Sequence, residues 1–240
     1  MNLLLFDSND MSGENEIIIS GRRLKHLNNI LKLKTDEQVD VGKVGGLLGK
    51  GRIISINEDE AKLDLNIYIS PPEKLPLSLI IGLPRPKMLS RILRNVAAAG
   101  VKSLHLINSR KVEKSYWQSP LLQIENIHKQ FKTGLEQASD TILPDIKLWQ
   151  QFKPFVEDFL PNLLSGQRSF IAHPGNYPLL LPADSNIATT IALGPEGGFI
   201  PYEIEKLIDA GCTPVSIGTR VLRLESAIDT VIGRQLIPQF

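Results

Sequence analysis

The apolar run Ile191-Ala192-Leu193 empties into Gly194-Pro195-Glu196-Gly197-Gly198, a turn in which three residues of five are glycine. Backbone so free of side chains, placed after a strand, allows a ligand to approach closely. Periodicity then predicts a helix over 202–210, a short strand over 214–217, a second loop over 218–223 and a last helix from Leu224 to about Ile237. Strand, loop and helix occur twice in fewer than fifty residues. This succession predicts two loops at neighbouring strand ends, where open α/β sheets bind their ligands.

Upstream, Leu77–Leu83 and Val101–Ile107 are continuous apolar runs, the mark of strands buried on both faces of a parallel sheet. Pro86 opens a helix between them and Gly100 ends it, so the unit reads as a right-handed strand–helix–strand crossover. A long helix over 121–138, a helical region over 149–164 broken near Pro154 and Pro161, a strand over 169–172 and a loop over 176–186 lead on to the glycine turn. Pro71, Pro72 and Pro76 cannot continue a ladder. We therefore expect an N-terminal domain over 1–70, a linker over 71–76 and an α/β domain over 77–240. In the first, strands over 3–6, 16–20, 38–44, 48–57 and 61–69 and one helix over 22–33 predict a small mixed β-barrel, which fits an RNA-accessory role or a structural cap with no ligand.

The net charge of +1 conceals a segregation. Residues 73–132 carry eleven Lys/Arg against three Asp/Glu, whereas 1–72 and 133–240 are each net acidic. A polyanion-binding surface needs such a concentration of one sign. Lys87, Arg91 and Arg94 share one face of the predicted helix, Arg85 precedes it, and Arg110, Lys111 and Lys114 follow the next strand. Arg22, Arg23 and Lys25 crowd the start of the N-terminal helix, where the dipole disfavours cations. These ten residues are the candidate RNA contacts; a solvated helix surface is the competing account. Tyr116 and Trp117 offer rings for stacking on a base or for packing against the following helix.

One cysteine, Cys212, excludes a disulfide framework and a thiolate metal site, and four dispersed histidines form no zinc or triad arrangement. No metal is expected. No apolar run reaches membrane-spanning length and no signal-like segment opens the chain, which predicts a cytoplasmic protein without a membrane partner. The turn 194–198 has neither the G-x-G-x-x-G spacing of a dinucleotide site nor the lysine and hydroxyl residue of a Walker loop. Spacing alone fits nucleotide, coenzyme or small-metabolite binding alike.

Leu193-Gly194-Pro195-Glu196-Gly197-Gly198-Phe199, followed by Glu203, Ile217-Gly218 and Arg220-Val221-Leu222-Arg223-Leu224-Glu225-Ser226-Ala227, resembles the motifs of the ribosomal RNA small-subunit methyltransferase E family, which makes 3-methyluridine in 16S rRNA. The resemblance covers the whole chain, more weakly at His26–Lys32. It implies a trefoil-knotted, SPOUT-type α/β domain with a PUA-like N-terminal barrel. It also implies S-adenosylmethionine as cofactor, a homodimer, and 16S rRNA in the assembled 30S subunit as substrate. Carried over by matching position, Leu193, Gly194, Gly198, Ile217, Gly218, Leu222 and Leu224 surround the cofactor, with His173 near it. Arg223 and Glu225 fall at the catalytic centre.

For methylation at uridine N3, the imide proton must leave as the methyl arrives. The resemblance gives Arg223 the role of neutralising a uracil oxygen or holding phosphate, and Glu225 that of accepting the proton or orienting Arg223. A structural ion pair between the two is the competing account, and Glu196 braces the loop. Two segments depart from the family pattern. Its basic–Gly–basic loop and following glutamate become Leu83–Lys87 and Met88–Ser90, and its Glu-Gln-Ser-Gly-Arg becomes Glu136-Gln137-Ala138-Ser139-Asp140. Three alternatives stay open: a divergent RNA-binding or ribosome-assembly protein without turnover, a related knot methyltransferase acting at another RNA position, and a metabolite-binding α/β protein.

Overall fold

The computed structural model describes residues 2–182 and 187–236, so the ends of the predicted 176–186 loop and of the last helix at Ile237 lie outside the described residues. The chain forms two compact units, residues 1–73 with 131–143 and residues 74–130 with 144–240. In the first, β1 (Leu4–Phe6), β2 (Glu16–Ile19), β3 (Gln38–Lys43), β4 (Leu48–Ile56) and β5 (Ala61–Ile69) make a mixed sheet in the order β1-β3-β4-β5-β2. Alternation along β4 and β5 sends Ile53, Ala61 and Leu63 into a core with Leu4, Phe6, Ile17 and Ile19. Asn57 makes the β4–β5 turn: its Oδ1 accepts the N–H groups of Asp59 (2.8 Å) and Glu60 (2.9 Å). The predicted helix over 22–33 changes pitch partway. Its α-helical part, α1 (Gly21–His26), gives way to a wider turn over Leu27–Leu31, which Lys32 ends in the left-handed region.

Residues 131–143, expected in the C-terminal domain, belong to the first unit. Backbone pairing explains this. The Glu136 carbonyl accepts the N–H groups of Asn2 and Leu3 at 2.9 and 3.0 Å, Gly45 N–H donates to the Thr141 carbonyl, and the Thr141 hydroxyl donates to the Gly46 carbonyl at 2.6 Å. The segment that departs from the family pattern lies here. Ser139 has φ 55°, a backbone region natural to glycine, and Asp140 Oδ1 accepts the N–H groups of Thr141 and Ile142.

The second unit contains β6 (Leu75–Gly82), α2 (Pro86–Ala98), β7 (Val101–Ile107), the first turns of α3 (Ile124–Ala138), β8 (Asp145–Trp149), α4 (Phe152–Pro154), α5 (Leu160–Leu164), β9 (Arg168–Ala172), β10 (Thr189–Leu193), α6 (Pro201–Asp209), β11 (Thr213–Val215) and α7 (Leu224–Gln235). Its six strands are all parallel, in the order β11-β9-β10-β6-β7-β8. The expected α/β class with a parallel sheet is borne out. Two details differ. The strands before the two loops, β10 and β11, are not neighbours, because β9 hydrogen-bonds to both. And β8 occupies residues 145–148, given no element, and Trp149, read as the start of a helical region: it is an edge strand with exposed Asp145 and Lys147, so it shows no apolar run.

On one face of this sheet, Ile80, Ile171 and Ala192 pack with Phe155, Val156, Leu160 and Leu207. The alternate residues Leu79, Ile81 and Ile191 are fully buried on the other. Helix α7 contacts α2 and β10. All five residues of β10 are buried, as its place between β6 and β9 demands.

His105 in β7 is buried against Phe159 and Phe155, and its Nδ1 accepts the Trp149 indole N–H at 3.3 Å. Burial, with a smaller contribution from Lys147, pushes its pKa down to about 4. The folded protein therefore binds this proton less readily than the unfolded chain, and stability falls as pH drops from the ordinary histidine value of 6.5 toward 4. In denaturant titrations, His105→Leu should remove a loss of about 3 kcal/mol between pH 8 and pH 4. Ser139→Gly should raise unfolding free energy by about 0.5–1 kcal/mol, since glycine adopts that φ without strain.

Candidate active site

Two loops enclose a cleft at the carboxyl ends of the parallel strands. The first is the glycine turn. A Cβ on Gly194 would lie 2.6 Å from the Phe199 nitrogen, so the chain folds back here only because Gly194 has no side chain. Gly198 has φ 70° and donates its N–H to the Pro195 carbonyl at 2.7 Å. Neighbouring loops brace the turn. The Glu196 carboxylate accepts the Arg85 N–H at 3.1 Å, tying it to the loop after β6. Lys111 Nζ donates to the Gly197 carbonyl at 2.6 Å from the loop after β7. Glu203, 3% exposed, accepts the N–H groups of Arg110 at 2.6 Å and Ile200 at 3.0 Å, the second contact being half of a capping box for α6.

The second loop follows β11. Ser216 pairs with the backbone of Pro178 and Leu180, and its hydroxyl closes a small ring with the backbone of Gly218. From α7, the Arg234 guanidinium donates to the carbonyls of Leu180 at 2.7 Å and Ile217 at 3.0 Å. One arginine thus anchors two segments well apart in the chain.

Between the loops lies a cleft of about 920 Å³. All eight residues assigned to the cofactor line it: Leu193, Gly194 and Gly198 from the first loop, Ile217, Gly218, Leu222 and Leu224 from the second, and His173 after β9. Burial, then the nearby Lys111, lowers the His173 pKa, which favours a neutral imidazole. Arg223 lines the cleft; Glu225 does not. Glu225 sits in the first turn of α7, with its carboxylate 3.5 Å from the Arg91 guanidinium. The pairing of Glu225 is therefore with Arg91 from another helix. Arg85, Lys111, Arg220 and Arg223 face a single lining carboxylate, Glu196, so the cleft favours anionic groups. Sequence reasoning left Met88, Arg220 and Val221 unassigned; the last two stood inside the quoted motif, and Met88 opened the segment 88–90 that departs from the family pattern.

The basic residues divide into committed and uncommitted cations. Arg22 holds Glu136 at 2.6 Å, and Arg23 grips Asp10 with two nitrogens while donating to the Leu5 carbonyl. Those pairings explain two cations placed against the dipole of α1. Arg94 donates to Gln130 and Ser90. Lys25, Lys87, Arg110 and Lys114 are exposed and form no ion pair among the described residues, while Arg85 and Lys111 stand at the cleft. The Cys212 thiol is buried, which pushes its pKa up to about 12 and makes it a poor nucleophile. Among the described residues there is no cluster of three or more His, Cys, Asp or Glu able to hold a metal, and no helix long and apolar enough to cross a membrane.

An all-parallel sheet with a glycine-rimmed, cationic cleft at its strand ends defines a ligand-binding α/β domain. The chain belongs to the RNA methyltransferase domain family, whose model matches residues 71–234. It is similar to the ribosomal RNA small subunit methyltransferase E of Treponema pallidum, 29% identical over 95% of this chain and 87% of that one. Ribosomal RNA small subunit methyltransferase E 1 of Borreliella burgdorferi is 27% identical over 95% of this chain and 94% of that one. A crystal structure of ribosomal RNA small subunit methyltransferase E from Neisseria gonorrhoeae bound to S-adenosyl methionine shares the fold, with TM-score 0.76 and 18% identity over 97% of this chain and 95% of that one. The resemblance read from the C-terminal motifs is borne out.

Glu203→Ala would leave the Arg110 and Ile200 N–H groups without their acceptor. Denaturant unfolding should show a loss of about 2–4 kcal/mol, with Glu203→Gln losing less because it retains one acceptor oxygen.

Proposed function

We propose that the protein is an S-adenosylmethionine-dependent methyltransferase acting on N3 of a uridine in 16S rRNA, with the assembled 30S subunit as substrate in the cytoplasm. The observation that carries this reading is the meeting of two motif-bearing loops, 193–199 and 216–224, around one cleft in a chain of the RNA methyltransferase family. The residues fit the cofactor. Gly194, Gly198 and Gly218 leave backbone open to a flat ligand, Leu193, Leu222 and Leu224 supply an apolar wall, and the surplus of cations suits a carboxylate. In this reading the C-terminal unit is a trefoil-knotted SPOUT-type domain, the N-terminal unit is a PUA-like RNA-accessory barrel, and the enzyme works as a homodimer.

When bound, S-adenosylmethionine supplies an activated methyl group. The chain's residues then have four tasks. The glycine turn and second loop orient the donor, so that the uracil ring can be held in line with it. Arg223, which lines the cleft, stabilises the anionic uracil oxygen that develops as the N3 proton passes to solvent water. Glu225, paired with Arg91, fixes the first turn of α7 directly after Arg223 and so positions that arginine. Arg85, Lys87, Arg110, Lys111 and Lys114 hold the RNA backbone, which makes binding salt-sensitive.

Purified protein given labelled cofactor and 30S subunits from cells lacking the endogenous activity should yield 3-methyluridine on nucleoside analysis. Cofactor uptake without transfer to 30S subunits or free 16S rRNA would refute this substrate assignment. Arg223→Ala should lower transfer by at least about a hundredfold, the scale of losing one transition-state donor, while the circular dichroism spectrum stays that of the parent. Normal turnover in the folded variant would remove Arg223 from the mechanism.

A further inference from the structure

A second cleft, of about 560 Å³, opens on the other side of the loop that follows β7. It is lined by that loop, by Gln150 after β8, by Phe152 and Lys153 of α4, and by the start of α6. The two clefts share a partition. Lys111 lines the first and its neighbours Arg110 and Val112 line the second, while Phe199 lines the first and Ile200 the second.

Trp117 is held in a fixed orientation in this second cleft. Its indole N–H donates to Asn108 Oδ1 at 3.1 Å, and Asn108 Nδ2 donates in turn to the Gln150 carbonyl at 3.1 Å. The polar edge of the half-buried indole is therefore committed, leaving its faces as the means of recognition. Tyr202, 47% exposed, adds a second ring to the lining. Three cations surround these rings. Arg110 and Lys114 form no ion pair among the described residues, and Lys153 has only a long, exposed contact with Glu157 at 3.8 Å. The sole acidic lining residue, Glu203, is buried and engaged by two backbone N–H groups. Finally, Ser109 Oγ is buried at the cleft and has no hydrogen-bond partner among the described residues.

Rigid aromatic surface and a group of cations are the elements with which proteins hold single-stranded nucleic acid. We propose that the second cleft binds one unstacked nucleotide of the RNA, adjacent in the strand to the one presented to the first cleft. The base stacks on Trp117, and the phosphate is met by Arg110, Lys114 and Lys153. The assignment rests on the reading of the first cleft as a methyl-transfer site on RNA. It adds a binding step that fixes the strand's path across the partition.

The test uses the full chain and a fluorescently labelled single-stranded oligouridylate, with binding followed by anisotropy over a range of salt. Trp117→Ala should weaken binding about tenfold, as for loss of one base–aromatic stack, and Trp117→Phe should recover most of it. Lys153→Ala should reduce the slope of log affinity against log salt by about 0.7. Calorimetric affinity for S-adenosylmethionine should stay at the parent value, since neither Trp117 nor Lys153 lines the first cleft. If Trp117→Ala also loses cofactor, the loop has been disrupted, and the salt slope of Lys153→Ala decides the matter. Parental RNA affinity in a cofactor-binding Trp117→Ala, or a parental salt slope in Lys153→Ala, would overturn the second site while leaving the methyltransferase reading intact. A parent protein that binds cofactor but no oligouridylate overturns the second site alone, whereas absent transfer to small-subunit rRNA refutes the first reading whatever the Trp117 result.

Discussion

A carboxylate is costly to bury unless donors meet its oxygens, and Glu203 is nearly inaccessible. Its two oxygens accept backbone N–H groups from opposite sides, one in the loop after β7 and one at the start of α6. That single side chain sets the spacing between the glycine turn and the basic loop beside it. Glu196 makes the equivalent link to the loop after β6, and Lys111 closes the arrangement with the Gly197 carbonyl. The first cleft therefore has a floor made of backbone and walls held by charge-assisted hydrogen bonds. Sequence-distant segments become one surface through these contacts.

The sequence carried the parallel sheet and the two loops because buried strands and glycine turns leave local signatures. Leu77–Leu83 and Val101–Ile107 are apolar without interruption, and Gly100 stops α2 where expected. Strand β8 was illegible for the opposite reason: an edge strand needs no continuous apolar run. The insertion of β9 between β10 and β11 was equally hidden, since strand order is set by long-range pairing and not by the order of elements. Residues 131–143 looked like the end of a helix in the second domain, but their partners, Asn2, Arg22 and Gly46, lie near the start of the chain.

Charge was the most deceptive signal. Ten cations looked equivalent, yet Arg22 and Arg23 are held by Glu136 and Asp10, Arg91 by Glu225, and Arg94 by Gln130. Local composition cannot distinguish a cation awaiting phosphate from one whose acid arrives a hundred residues later. Glu225 shows the same difficulty. Adjacency to the motif arginine suggested an interaction with Arg223, whereas the helix turn directs its carboxylate toward Arg91. The cleft residues were carried over by their match to the family motif, whose glycines and short apolar residues line the cleft.

The position of β10 has a consequence for the order in which the protein becomes competent. Its ladder with β6 joins residues more than a hundred positions apart, and its other neighbour, β9, is also supplied late. During synthesis the cation-rich stretch 73–132 leaves the ribosome well before residues 189–224, which complete the sheet and the cleft. Long-range parallel pairing is also slow to form, because loop closure precedes its reward. A nascent chain thus carries its excess of positive charge while the central strand of its sheet is still missing. Chain polarity imposes a temporal asymmetry: the basic stretch comes first, and the pocket arises only when residues 189–224 follow.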